Sequence, residues 1–215
     1  MASSLSRGIL VTFEGGEGSG KSTQIERLAR DLKQKGLRVF VTREPGGTRV
    51  GDAIRAILLD SRHEIDAATE TLLYMASRAA LVREVIGPKL KKGFVVLCDR
   101  WVDATFAYQG AAGGVDPLWI RRVGRVATDG IAPDLSLFLD LPVREGLERA
   151  GKRKAHDRIE KKGIRFHERV RRGYLSISRS EPKRFRRITI RPCDSVEQVY
   201  RKILKEITGL ISHGH

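Results

Sequence analysis

At 215 residues the chain suits one domain with a substantial core, and 40% hydrophobic against 31% charged residues places it among soluble globular proteins. Two cysteines, Cys98 and Cys193, are too few for a disulfide framework, and no apolar run approaches the ~20 residues that span a bilayer. The net charge of +15 is uneven: between Arg144 and Arg187 seventeen Lys/Arg face six Asp/Glu. That stretch suits a nucleic-acid surface, an enzyme handling two anionic nucleotides, or solvated helix, and composition does not choose among them.

Met1-Ala2-Ser3-Ser4-Leu5-Ser6-Arg7 lacks the basic stretch and long apolar core of a signal peptide, so the cytoplasm is expected. Ile9-Leu10-Val11-Thr12-Phe13 then reads as a buried strand, and Ile25, Leu28, Ala29 and Leu32 fall on one face of a helix. Between them Gly15-Gly16-Glu17-Gly18-Ser19-Gly20-Lys21-Ser22 spells G-x-x-x-x-G-K-[ST], followed by Thr23. Strand, glycine loop and helix form a phosphate cradle. Backbone N–H groups close around the phosphates, the helix N-terminus and Lys21 add positive charge, and the Ser22 hydroxyl can bind Mg²⁺. The pattern points to a nucleoside triphosphate.

Further along, residues 38–42 read as a second strand, 50–59 as a helix, and 67–90 as a longer one. Strands follow at 94–98, ending at Asp99, at 135–139 and at 187–190, before a last helix carrying Val196, Val199, Ile203, Ile207 and Leu210 on one face. This alternation implies a five-stranded parallel sheet with helices on both faces and ligands at the strands' C-terminal ends. Gly151-Lys152-Arg153-Lys154-Ala155-His156-Asp157-Arg158 interrupts it and reads as a short basic lid at about 150–160.

Three further features specify an acceptor. Thr42-Arg43-Glu44-Pro45-Gly46-Gly47-Thr48 follows the second strand. Asp99-Arg100 closes the third, with Ala107-Tyr108-Gln109-Gly110 soon after, and Tyr74-Met75-Ala76-Ser77-Arg78 lies inside the long helix. Together with the glycine loop these resemble bacterial thymidylate kinase from about residue 9 to 210. The resemblance implies a single P-loop kinase domain over 1–215, of the three-layer α/β fold, that transfers the γ-phosphoryl group of ATP to dTMP with Mg²⁺. It implies ATP contacts from Gly15 to Thr23, with Lys21 catalytic and Ser22 on the metal. Arg43 and Arg100 would hold the acceptor phosphate, Arg100 also serving in catalysis. Tyr74 would stack under thymine, Arg78 would donate to its carbonyl, and Thr105 and Gln109 would line the same pocket. Tyr108 would pack against the sugar 2′ position and Glu17 near the 3′-hydroxyl. Asp99 either holds Mg²⁺ through water or orients Arg100. The implied partners are ATP, dTMP and a second copy of the chain, without nucleic acid or membrane.

The loop holds no arginine, since Gly18-Ser19 occupies its variable positions, so a further cation has to come from elsewhere; the resemblance to thymidylate kinases of this loop type implies an arginine of the basic lid. Alignment on Asp157-Arg158-Ile159-Glu160 favours Arg153, with Arg149 and Arg158 next. Trp101, Ala104, Tyr74 and Arg191-Pro192-Cys193-Asp194 depart from the commonest family pattern. Three other readings stay open: a P-loop kinase with another small acceptor, a weakened family member, and, on charge alone, a nucleic-acid-binding ATPase.

Overall fold

The computed structural model describes residues 7–151 and 158–212. The lid arginine Arg153, with His156, lies outside the described residues. Five strands, β1 (Ile9–Glu14), β2 (Val39–Arg43), β3 (Val95–Asp99), β4 (Leu135–Asp140) and β5 (Phe185–Thr189), form one sheet in the order β2-β3-β1-β4-β5, every pairing parallel. Because β1 has a neighbour on either side, the connections from β1 and β3 diverge and open a crevice at their C-terminal ends. This is the P-loop kinase three-layer fold.

The strand alternation sorts side chains to two faces. Ile9, Val11 and Phe13 pack toward α1 (Lys21–Gln34) and the last helix (Val196–Ser212), through Ile25, Leu28, Val199 and Ile203. Leu10, Val96 and Cys98 face the opposite way, onto Leu81, Ile86 and Trp101. Phe138 and Phe185 continue that second face and meet Val170 and Tyr174.

Local chemistry sets the helix ends. In α2 (Arg49–Leu59) the Thr48 hydroxyl accepts from Gly51 N, and in α3 (Ala67–Leu81) Asp66 accepts from Ala68 and Thr69 N. The helix expected over 67–90 is helical throughout but not uniform. A π-helical turn at Val82–Ile86 separates α3 from α4 (Gly87–Lys91). Pro88 lacks an N–H and its ring crowds the carbonyl four residues back, which widens that turn. A second π-turn, Phe106–Ala112, follows the short α5 (Val102–Thr105) and carries Tyr108 and Gln109. α6 (Pro117–Ala127) has Asp116 as its cap and Pro117 at its first turn, a start signal the sequence carries openly. α7 (Val143–Gly151) and α8 (Ile164–Ser180) flank the basic segment, and α9 is Val196–Ser212.

β5 begins two residues earlier than the sequence pattern suggests, because Phe185 and Ile188 are its inward residues while Arg186 and Arg187 point out. The basic stretch is also less solvated than its composition implies. Asp140, fully buried at the end of β4, binds Arg171 and Arg187, and Asp103 holds Arg184 through two contacts of 2.8 Å. Leu97 sits at the centre of the sheet with no exposed surface. Leu97→Ala is expected to lower stability by about 2–5 kcal/mol, measured as a shift in the urea unfolding midpoint at unchanged slope.

Candidate active site

The glycine loop leaves β1 and enters α1 with backbone angles that side chains resist. Gly15 has φ +143°, and a Cβ there would lie 2.7 Å from the Leu139 carbonyl oxygen; at Gly18 (φ +64°) it would lie 2.1 Å from the Gly146 carbonyl oxygen. Neither position admits alanine without moving backbone. Lys21 Nζ donates to the carbonyls of Gly15 (3.3 Å) and Gly16 (3.1 Å), folding the amine over the loop. Burial pulls the Lys21 ammonium down from its ordinary value, and Arg100 adds to this, while Asp99, Glu17 and Glu14 resist it.

The loop from Glu17 to Thr23 forms one wall of a cavity of about 270 Å³. Arg43, Tyr74, Arg78, Arg100, Thr105, Tyr108 and Gln109 form the other, so tertiary structure gathers the acceptor residues named from sequence beside the phosphate loop. Gly15 and Gly16 are not among the lining residues and accept from Lys21 through their carbonyls. Among the lining residues that sequence reading missed, Arg55 on α2 adds a further cation; its Nη1 donates to the Pro45 carbonyl at 3.0 Å. Its place in the middle of α2 gave no local pattern to mark it.

Arg100 stands directly after β3 with φ +75°, a left-handed conformation rarely taken by a side-chain-bearing residue. Its backbone N–H bonds the Phe13 carbonyl at 2.9 Å, which ties it to the end of β1. The guanidinium reaches Glu17 Oε1 (2.8 Å), the Gly15 carbonyl (3.1 Å) and the Tyr174 hydroxyl (3.3 Å), and lies 4.8 Å from the Tyr108 ring centre. Tyr108 also donates to Glu17 Oε1 at 2.8 Å. Burial pushes the Glu17 carboxyl up, but Arg100, Lys21 and Tyr108 together outweigh it and hold it at about 2. A folded value below the ordinary one means this contribution is complete above the usual carboxylate range. It is lost as pH falls toward that value.

Tyr174 in turn donates to Glu14 Oε2 at 3.0 Å, and burial together with Asp103 pushes the Glu14 carboxyl well up. Neither residue carries a sequence signal, since the two are 160 positions apart.

Arg78 lines the cavity from a nearly fully buried position: 1% exposed, with Nε and Nη2 at 2.7 and 2.6 Å from Glu44 Oε2 and both terminal nitrogens 3.4 Å from Thr105 Oγ1. Burial pushes the Glu44 carboxyl up and Arg78 opposes this. Trp101 is buried 5.7 Å beneath the same guanidinium, so the unusual tryptophan is a packing residue below the acceptor wall.

Ser22 Oγ lies 3.5 Å from Asp99 Oδ2, and Asp99 Oδ1 is buried without a partner. Arg100 bonds Glu17, not Asp99, which favours the metal alternative for Asp99. Among the described residues no group of three His, Cys, Asp or Glu could hold a metal alone. A hydroxyl and one orphaned carboxylate suit a hard cation that arrives with phosphates and keeps its waters.

Of the lid cations, Arg149 donates to the Pro192 carbonyl at 3.2 Å. Arg158 bonds the Leu58 carbonyl (2.9 Å) and Glu70 (2.6 Å), which engages it at the lid's base.

A phosphate loop facing a pocket of guanidinium groups across one cavity defines a P-loop kinase with an anionic acceptor. The family model for thymidylate kinase matches residues 13–203. Curated thymidylate kinases of Deinococcus radiodurans and Desulfovibrio desulfuricans are 46% identical over 194 residues and 49% over 185, covering 90% and 82% of this chain and 94% and 85% of theirs. The crystal structure of thymidylate kinase from Ehrlichia chaffeensis superposes with a TM-score of 0.77 at 30% identity, covering 93% of this chain and 98% of that one. The chain belongs to the thymidylate kinase family.

Arg78→Ala would leave Glu44 as an unpaired buried charge. It is expected to cost about 3–5 kcal/mol of stability, read by chemical denaturation. Glu44→Gln/Arg78→Met should recover part of that loss.

Proposed function

We propose that this chain phosphorylates dTMP with ATP, giving dTDP and ADP in dTTP biosynthesis, within a single kinase domain whose lid spans about 150–160. Family membership over most of the chain supports the activity. The observation that carries the residue assignment is the shared cavity, with the loop on one wall and the acceptor set on the other.

The loop backbone from Gly15 to Thr23 would cradle the triphosphate, with Lys21 swinging from its carbonyl partners to the phosphates. Arg43, Arg55 and Arg100 would hold the acceptor phosphate, a dianion that calls for fixed guanidinium donors. Tyr74, one helical turn before Arg78 on α3, would stack on the base. Arg78, Thr105 and Gln109 would face its polar edge. Tyr108 would crowd a 2′-hydroxyl, and Glu17 would accept from the 3′-hydroxyl. Ser22 and Asp99 would hold Mg²⁺, which supplies charge neutralisation at the donor phosphates when bound.

The attacking oxygen is ionised at neutral pH, so the chain need not supply a general base. Its residues act by alignment and by neutralising charge. Arg153 would supply the remaining cation, with Arg149 and Arg158 the next candidates. A homodimer is proposed on the family resemblance, with exposed Val50, Ile57, Leu72, Leu118 and Val126 on α2, α3 and α6 as candidate interface residues. Among the described residues no helix is long and apolar enough to cross a membrane. The cytoplasm is its proposed setting.

In an acceptor panel with ATP and Mg²⁺, followed by ADP release, dTMP is expected to be the best substrate, dUMP weaker, and UMP and CMP poor. Phosphorylation of another monophosphate but not dTMP would sink the assignment. Arg153→Ala is expected to lower kcat on the order of 10³-fold with little change in dTMP affinity, because its contact forms mainly in the transition state. Arg153→Lys should restore part of the rate, and wild-type kcat in Arg153→Ala would remove the lid arginine from the mechanism.

A further inference from the structure

Glu70 on α3 takes no part in the function described so far, yet it is 1% exposed and sits between two segments that line the cavity. Its Oε2 accepts from Gln109 Nε2 at 2.9 Å, on the acceptor wall. Its Oε1 accepts from Arg158 Nη1 at 2.6 Å and Lys162 Nζ at 3.0 Å, in the chain that returns from the basic segment. Arg158 also ties that returning chain to the end of α2: its backbone N–H bonds the Leu59 carbonyl at 3.2 Å and its Nε the Leu58 carbonyl at 2.9 Å. Leu59, Gln109, Ile159 and Glu160 all face the cavity.

A buried carboxylate satisfied by three donors can serve packing alone. Here the donors divide by function. One oxygen fixes an amide in the acceptor pocket, and the other fixes two cations at residues 158–162. Arg158 Nη2 is buried without a partner, so Glu70 is the counter-charge on which this guanidinium rests. A shift of Gln109 on meeting a ligand therefore alters the same carboxylate that holds residues 158–162, and both responses share one rigid side chain.

We propose that Glu70 is a positioning residue that couples occupancy of the acceptor pocket to the placement of residues 158–162. The inference rests on dTMP being the acceptor. It makes Glu70 a coupling element between substrate recognition and a segment that lines the same cavity through Ile159 and Glu160, without itself lining that cavity.

The test is amide hydrogen exchange of the full chain with and without saturating dTMP, followed in two segments, 102–112 and 158–163. In the wild type dTMP should slow exchange in both, by about tenfold or more. Glu70→Gln keeps the shape and an acceptor for Gln109 but removes the charge that holds Arg158 and Lys162. In this variant dTMP should still protect 102–112, while protection of 158–163 falls to less than about twofold. Lys162→Met, at a partly exposed residue, should act in the same direction and stands in if Glu70→Gln does not fold. Steady-state kinetics of either variant should show kcat falling more than KM for dTMP rises. Protection of 158–163 that survives both substitutions, or that is absent in the wild type while 102–112 is protected, overturns the coupling. Absence of protection in both wild-type segments overturns the acceptor reading and this inference together.

Discussion

Like-charge repulsion among cations is the constraint on which the site depends. A cavity built for a triphosphate and a monophosphate gathers Lys21, Arg43, Arg55, Arg78 and Arg100 within one small volume. Such a cluster is held in place by carboxylates of its own. Glu17 answers Arg100 and Glu44 answers Arg78, while Glu70, outside the cavity lining, answers Arg158 and Lys162. Removing one partner of a buried pair leaves an uncompensated charge, so these acids are as necessary to the site as the arginines that would touch substrate.

The same logic extends through the fold. Asp140 and Asp103 sit at the end of β4 and at the start of α5 and bind Arg171, Arg187 and Arg184. Those contacts fasten α8 and β5 to the sheet core. Part of the charge in the basic stretch, on Arg171, Arg184 and Arg187, thus goes into pairing with buried carboxylates.

The sheet order gives this electrostatics its geometry. β1 and β3 lie side by side, and their C-terminal ends release the glycine loop and Asp99-Arg100 at adjacent points. Register does the alignment: Phe13 pairs with Asp99, and the Arg100 N–H closes on the Phe13 carbonyl. The left-handed backbone of Arg100 directs its guanidinium to the loop. Strain of this kind persists where surrounding contacts over-determine it, and here β1, Glu17 and Tyr174 do so.

Local sequence carried much of the design. The loop pattern between an apolar strand and an amphipathic helix encodes a phosphate cradle, because its chemistry lies within eight consecutive residues. The acceptor motifs were legible for the same reason, each being a short run at a strand end or on one helix turn. Glu70, Tyr174, Arg55 and the Glu44–Arg78 pair were not, because their partners lie far along the chain: 34 positions for Arg78 and Glu44, 88 for Arg158 and Glu70, 160 for Tyr174 and Glu14. Periodicity shows that a residue is helical and inward but not which charge it meets there. The start of β5 and the π-turn before Pro88 escaped it as well, being fixed by packing across elements. Sequence by itself determined the fold class and the phosphate-binding chemistry, which depend on neighbours in the chain. Tertiary structure decided the counter-charges that hold the site open, since charge pairing depends on distance in space.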